Sequence, residues 1–361
     1  MGGLVSRGLG NQTPICFWSL CTGMINLDNQ VIIEHRPENQ VPKNIGSSFY
    51  RGKNCNFNPY FKDREDPQFC KKFILHGHLP VDPPFLRKSD VITTFGSCFA
   101  QHITEHLMKL GYRLNKQQNP NIYISNMGEG LVNVYAILQQ FLWAFDEISF
   151  HEYLWYDRHG NVAEYNEQIK RETRVVFEKT TIFIITLGLS EVWYNKESND
   201  IFWRAIPVDK FDENLHAFKV CSFEETKNAI KRIHETIQRH IPNAKVLFTL
   251  SPIPLAATFR NQSCITANYV SKAILRASLD EYMRFCEGYN KSIFYFPSYE
   301  IIHELFPNRF IEDGRHLHKE IIEQMMQIFE VYYCETTADP LFAEKSIKSL
   351  SEKSRKNWEG V

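Results

Sequence analysis

With 361 residues, 43% of them hydrophobic and 14% aromatic, the chain carries enough apolar material to bury a large core in one elaborated domain. Its 41 Lys and Arg against 42 Asp and Glu leave a net charge of -1, which excludes a global field recruiting nucleic acid or an anionic membrane. The nine cysteines are an odd, scattered set with no CxxC pair and no zinc-ligand spacing, so they read as reduced thiols in a cytoplasmic protein with neither metal nor cofactor.

Residues 1–88 are rich in Asn, Pro, Phe and Lys without a sustained period, and read as an extension with short strands that wraps the core. Within them, Ile15 to Leu20 is apolar but lacks a basic flank and a small-residue cleavage site, so no signal peptide is expected. No run reaches membrane-spanning length. Residues 89–334 form the expected core domain. Its first strand is the β-branched run from Val91 to Thr94, and Phe99, Ile103, Leu107 and Leu110 then fall at helical spacing up to Gly111.

Between that strand and helix lies Gly96-Ser97. Two readings are open for the serine. A strand-to-helix turn presents a nucleophile to free N–H groups and the positive end of a helix; it also describes an ordinary tight turn with an N-cap serine.

Further along, Leu131, Val134, Tyr135, Leu138, Phe141, Leu142 and Phe145 make a helical stripe after a loop containing Asn126-Met127-Gly128-Glu129-Gly130. Residues 146–178 are polar and aromatic and read as an insertion. Thr181–Leu187, Lys245–Leu250 and Ile293–Phe296 are continuous apolar runs, the pattern of parallel strands buried on both faces. Between them, Phe223, Ile230, Ile233 and Ile237, and then Val270, Ala273, Ile274 and Ala277, mark two helices. This alternation predicts an α/β fold: an open parallel sheet with helices on both faces and its ligand site at the carboxyl ends of the strands. Residues 335–361 read as a charged, partly helical tail. No oligomeric state is assigned.

The second chemical feature is Asp313-Gly314-Arg315-His316, ahead of a closing helix with the stripe Ile321, Ile322, Met325, Ile328 and Phe329. An aspartate and a histidine three residues apart can share one side of a turn, as a base and its orienting carboxylate require. The alternative is that Asp313 caps the last helix and His316 is a solvated loop residue. Cys98 reads as a packing residue. His102 and His106, on one helix face without a matching carboxylate motif, read as surface or packing residues rather than metal ligands. Trp193, Tyr194 and Trp203 follow a strand end and suit either stacking on a sugar ring or core packing. Glu129 and Glu191 lie in candidate site loops.

Phe95-Gly96-Ser97-Cys98-Phe99-Ala100 matches the signature of the GSCFA family, a branch of the SGNH/GDSL hydrolase superfamily. Further blocks resemble the same family in order and spacing: Thr186-Leu187-Gly188-Leu189-Ser190-Glu191-Val192-Trp193, Ser251-Pro252-Ile253-Pro254, Ser271-Lys272-Ala273-Ile274-Leu275-Arg276, Tyr295-Phe296-Pro297-Ser298-Tyr299-Glu300, and the terminal Asp313-x-x-His316. The resemblance covers roughly residues 90–330. It implies a flavodoxin-like three-layer α/β/α sandwich and ester chemistry through a covalent acyl-enzyme. Ser97 would be the nucleophile, His316 the general base and acid, and Asp313 its orienter. The Ser97 N–H would be the first oxyanion donor.

The chain departs from the superfamily at the other oxyanion donors. Where the superfamily carries Gly-x-Asn, this chain reads Gly188-Leu189-Ser190, so a hydroxyl stands in for the amide. After Asn119-Pro120 the expected glycine is replaced, which leaves Gly128 or Gly130 as the backbone donor. Asn126, Glu129, Glu191 and Trp193 are substrate-binding candidates. Three functions are compatible with these features: an esterase removing an acyl group, acetyl foremost, from a carbohydrate or small ester; an O-acyltransferase using the same triad on a sugar or glycan hydroxyl; and a glycan-binding pseudoenzyme. Neither nucleic acid nor membrane is an expected partner.

Overall fold

The computed structural model describes residues 56, 58–96, 98–115, 122, 131–150, 154–156, 159–162 and 166–359, with side chains up to 356. The chain divides into two units, Met1–Tyr60 and Phe61–Val361. The first contributes only residues 56 and 58–60 to this description, and everything below concerns the second.

Five strands form one parallel sheet: β1 (Val91–Phe95), β2 (Arg113–Leu114), β3 (Ile182–Leu187), β6 (Lys245–Leu250) and β7 (Ile293–Phe296), in the spatial order β2-β1-β3-β6-β7. β4 (Glu191–Asn195) and β5 (His216–Val220) form a separate antiparallel hairpin inserted after β3. With that hairpin set aside, the order is the 2-1-3-4-5 of a flavodoxin-like sheet. Its switch point lies between β1 and β3, the place beyond whose strand ends sheets of this kind bind ligands.

Burial on both faces explains the unbroken apolar runs. In β3 the side chains of Phe183, Ile185 and Leu187 join one core, and Ile182 and Ile184 join the other; successive strand residues point to opposite faces. The first core is covered by α2 (Val134–Ala144), α3 (Glu167–Lys179), α4 (Phe223–His240) and α5 (Cys264–Phe285). The second is covered by α1 (Cys98–Lys109), α6 (Ser298–Leu305), α7 (Lys319–Tyr333) and α8 (Pro340–Glu359). Local signals set the ends: Ser222 and Glu225 close a reciprocal capping box on α4, and Gly111, at φ +79°, terminates α1.

The segment read as an insertion contributes α3, whose buried residues are Ile169, Thr173 and Phe177. Its Phe177 stacks on Phe141 of α2 at 4.7 Å between centroids, and Phe141 meets Phe95 at 5.2 Å and Phe183 at 5.3 Å. Each such pair contributes about 0.5–1.5 kcal/mol beyond its buried area. Together they clamp the carboxyl end of β1, one residue before Gly96.

No strand occurs among the described residues before Val91; Phe61–Glu65 and Cys70–Ile74 are short helical turns instead. The C-terminal segment is a docked helix. Ala343 and Ile347 of α8 are buried, and the buried Glu344 carboxylate accepts the backbone N–H groups of Cys70 at 3.1 Å and Lys71 at 2.8 Å. No helix of the described residues is long and apolar enough to cross a membrane.

Candidate active site

At the end of β1 the backbone can only turn as it does with glycine. Gly96 sits at φ +137°, and a Cβ there would stand 2.6 Å from Thr186 Cβ and 2.9 Å from Thr186 O on the neighbouring strand. The turn therefore presses onto β3 and delivers the chain directly into α1, which starts at Cys98. Ser97 itself lies outside the described residues, as do Asn126, Gly128, Glu129 and Gly130.

The Asp313–His316 pair stands on a loop closed by the Phe310–Leu317 bridge and by the His316 carbonyl, which accepts the Ile311 N–H at 2.8 Å. Gly314, at φ +68°, makes the reversal. Asp313 Oδ1 accepts the backbone N–H groups of Arg315 and His316, both at 2.9 Å, and Oδ2 accepts the Nδ1–H of His316. The His316 hydrogen bond, followed by the two backbone ones, pulls the Asp313 carboxyl down to about 2. The carboxylate is thus ionised at neutral pH, fixes the Nδ1–H tautomer and leaves Nε2 as the acceptor. Asp313 does not cap the closing helix: the N-cap of α7 is His318, which makes no side-chain cap bond.

Helix packing sets where this pair points. His106 of α1 bonds Glu330 of α7 at 3.0 Å, while His102, one turn earlier, is close enough to His316 for a charge there to disfavour its own. Burial is the larger cause lowering the His102 pKa. Pairing 102 with 316 and 106 with 330 means that α1 and α7 run in the same direction. The loop ahead of α7 therefore comes within electrostatic reach of the second turn of α1, where His102 sits. Asp313 and His316 are 41% and 46% exposed, so the imidazole is open to a substrate.

The loop after β3 forms the adjoining wall. A Cβ at Gly188 would meet Val132 O at 2.7 Å, and the N–H groups of Gly188 and Leu189 both donate to that oxygen, at 2.9 and 3.2 Å. Val132 is held in turn by Asn133, which caps α2 through Ala136 N at 2.7 Å and donates to Trp203 O at 2.8 Å. From α5, Ser271 Oγ accepts the Ser190 N–H at 2.8 Å, and Lys272 Nζ donates to Gly188 O at 2.6 Å. Ser190 is buried, and its hydroxyl reaches Ser271 Oγ only at 3.3 Å. Burial lowers Lys272 to about 7. The role of Ser271 and Lys272 as braces was carried in the sequence only by their place in a family block. Their polarity hid the fact that they face inward.

Glu191 and Trp193 stand on β4, not on a loop. Glu191 is 6% exposed, with Oε2 accepting the Thr258 hydroxyl at 2.8 Å. Trp193 meets Phe211, Phe218 and Phe259 edge to face at 5.5, 5.5 and 4.9 Å. Trp203 is fully buried against Trp155. Among the described residues no group of three or more His, Cys, Asp and Glu side chains could hold a metal ion, and the six described cysteines are free.

No curated protein matches the sequence. Among solved structures, the chain is similar to an acetyl xylan esterase, Est2A, from the rumen bacterium Butyrivibrio proteoclasticus, at 12% identity and a TM-score of 0.26; the match covers 78% of this chain and 66% of that one. The sequence model of the GSCFA family matches residues 91–329, from the first strand of the sheet to the closing helix. The chain belongs to the GSCFA family.

Proposed function

We propose that the protein is a serine-dependent ester hydrolase that removes an acyl group, acetyl foremost, from a carbohydrate or similar small ester. The observation that supports this reading is the hydrogen-bonded Asp313–His316 pair, solvent-open and within electrostatic reach of His102 on α1. Ser97 Oγ attacks the acyl carbonyl carbon as His316 Nε2 takes the hydroxyl proton, and Asp313 stabilises the imidazolium. The tetrahedral adduct collapses to an acyl-serine, and the proton on His316 passes to the departing alcohol oxygen. Water then attacks the acyl-serine with the same histidine as base, releasing the acid and restoring Ser97. The negative oxygen is met by the Ser97 N–H at the helix start, an N–H from Gly128 or Gly130, and the Ser190 hydroxyl. The bond from Ser190 to Ser271 is long for O–H···O, so redirecting it costs little.

A second reading, transfer of the acyl group to a sugar hydroxyl instead of water, draws on the cavity beside Leu189, which gives an acceptor a place to bind. A fluorophosphonate probe on the full chain tests the shared mechanism: Ser97 is labelled, and Ser97→Ala and His316→Ala stay folded but lose acetyl-ester turnover. Unchanged turnover by purified Ser97→Ala sinks both readings. Mass spectrometry of the products in the presence of sugars separates them, an acyl-sugar marking transfer and free acid alone marking hydrolysis.

A further inference from the structure

A cavity of about 260 Å³ opens two residues past the end of β3, between the β4–β5 hairpin and the segment that follows β6. Leu189, Val132, Trp193, Phe218 and Phe259 give it largely apolar, aromatic walls. Glu191 lines it as well, nine-tenths buried, and one of its oxygens, Oε1, is buried without a hydrogen-bond partner among the described residues. Arg260 Nη1 stands 4.0 Å from that oxygen, within ion-pair distance but beyond hydrogen-bond reach, and is itself buried without a hydrogen-bond partner among the described residues. The indole Nε1–H of Trp193 is unpartnered in the same way. Glu191 and Trp193 therefore bring two buried polar atoms with open hydrogen-bonding capacity to an apolar-walled cavity, and Arg260 stands beside the carboxylate.

Those atoms specify the occupant. A hydroxyl set between Glu191 and Arg260 donates to the carboxylate and accepts from the guanidinium at once, which closes the gap with a single group. A cationic occupant would meet Arg260 and also Arg204, which lines the cavity, and an anionic one would meet the open Glu191 oxygen, so the occupant is neutral. An aliphatic acyl chain would match the walls but leave these polar atoms unsatisfied, which is costly in a buried site. A pyranose ring offers both kinds of surface: C–H faces for the aromatic rings and hydroxyls for the polar set. The volume falls just below the range of about 300–1,000 Å³ typical of drug-sized pockets, and so fits one ring rather than a chain of them.

The geometry points to this cavity as a subsite for a single neutral pyranose ring, with Glu191 and Arg260 sharing one of its hydroxyls and Trp193 supplying a further donor. The inference rests on the proposed ester chemistry for its role, as the place of the alcohol half of the substrate or of an acceptor. It does not depend on that chemistry for binding.

Binding is read by ligand-observed NMR on the full-length protein and on its Ser97→Ala variant, with methyl glucopyranoside, methyl galactopyranoside and methyl xylopyranoside as probes and hexanoate as the aliphatic comparison. At least one pyranoside is expected to bind both proteins equally, with hexanoate failing to displace it. Glu191→Gln, which keeps the volume, and Trp193→Phe, which keeps one aromatic ring but drops the N–H, are expected to weaken it about tenfold and severalfold, as loss of a charged and a neutral hydrogen bond implies. Circular dichroism melts confirm that both variants are folded. If no pyranoside binds, or hexanoate displaces it, or Glu191→Gln binds as well as the parent because water alone fills the gap, the subsite is wrong. Ser97 labelling by a fluorophosphonate is scored separately. Labelling without pyranoside binding overturns the subsite and leaves the ester reading, and binding without labelling does the reverse.

Discussion

The Nζ of Lys272 on α5 lies 2.6 Å from the carbonyl oxygen of Gly188, the first residue past the central strand β3. Lys272 is 2% exposed and Gly188 has no room for a Cβ, so a buried lysine pins a loop of the site that cannot be rebuilt around a side chain. Burial lowers Lys272 from 10.5 to about 7. Between those values the unfolded chain holds a proton that the folded chain has released, so stability rises with pH across that window. The thermal midpoint of the parent is expected to climb from pH about 7 to about 10 relative to Lys272→Met, whose midpoint lacks this increment. Parallel pH profiles for the two proteins would refute it.

Gly96 is a second fixed point. Gly96→Ala combines a backbone conformation that L-residues rarely adopt with a Cβ 2.6 Å from that of Thr186. Strain and overpacking each cost about 1–3 kcal/mol. Gly111→Ala, at φ +79° with no atom within 4 Å of the new methyl, carries the strain alone. Urea denaturation is expected to rank Gly96→Ala well below Gly111→Ala, and equal losses at the two positions would contradict the close packing of β1 on β3.

The parallel sheet was legible because its strands are buried on both faces and so carry uninterrupted apolar runs; Ile182 to Leu187 could hardly be read otherwise. The helix over 264–285 was legible too, from four apolar residues at helical spacing, but its inward face was not. The stripe Val270, Ala273, Ile274 and Ala277 is not the buried one, and the inward residues include Ser271, Lys272 and Ser278. Hydropathy periodicity cannot see a buried polar row whose partners are backbone groups of a distant loop. The β4–β5 hairpin escaped notice for a related reason: its residues are only half covered, and nothing local announces the pairing of Glu191 with Val220 across an intervening loop. Asp313 and His316 were singled out by spacing, since three residues is the distance at which one tight turn brings a carboxylate to an imidazole, and their roles came from the resemblance to the terminal Asp-x-x-His.

That pair makes its own pH prediction. Asp313 is pulled below its ordinary 3.8 to about 2 by His316 and two backbone N–H groups. A depressed carboxyl contributes stability above its unfolded value and loses it as pH falls through the folded one. The midpoint difference between the parent and Asp313→Asn is expected to be constant above pH about 4 and to close as pH approaches 2. At neutral pH the same variant is expected to lose about 10⁴ in kcat with its fold intact, because the amide no longer fixes the imidazole tautomer. A difference that persists at pH 2, or turnover within tenfold of the parent, would count against the assigned pairing.

Ser190 carries the prediction that bears most directly on the departure from Gly-x-Asn. Its N–H is fully engaged with Ser271 at 2.8 Å, while its hydroxyl makes only a 3.3 Å contact to the same oxygen. The backbone bond holds the loop and the hydroxyl stays available, so the two functions separate under mutation. Ser190→Ala keeps the first and removes the second; it is expected to lower kcat by about 10², the size of one oxyanion donor, with little change in KM. Ser271→Ala removes the acceptor of the backbone N–H instead and is expected to lower thermal stability by about 1–3 kcal/mol for the buried group left unsatisfied. Unchanged kcat in Ser190→Ala would assign the residue to packing and move the missing donor to the loop that carries Gly128 and Gly130.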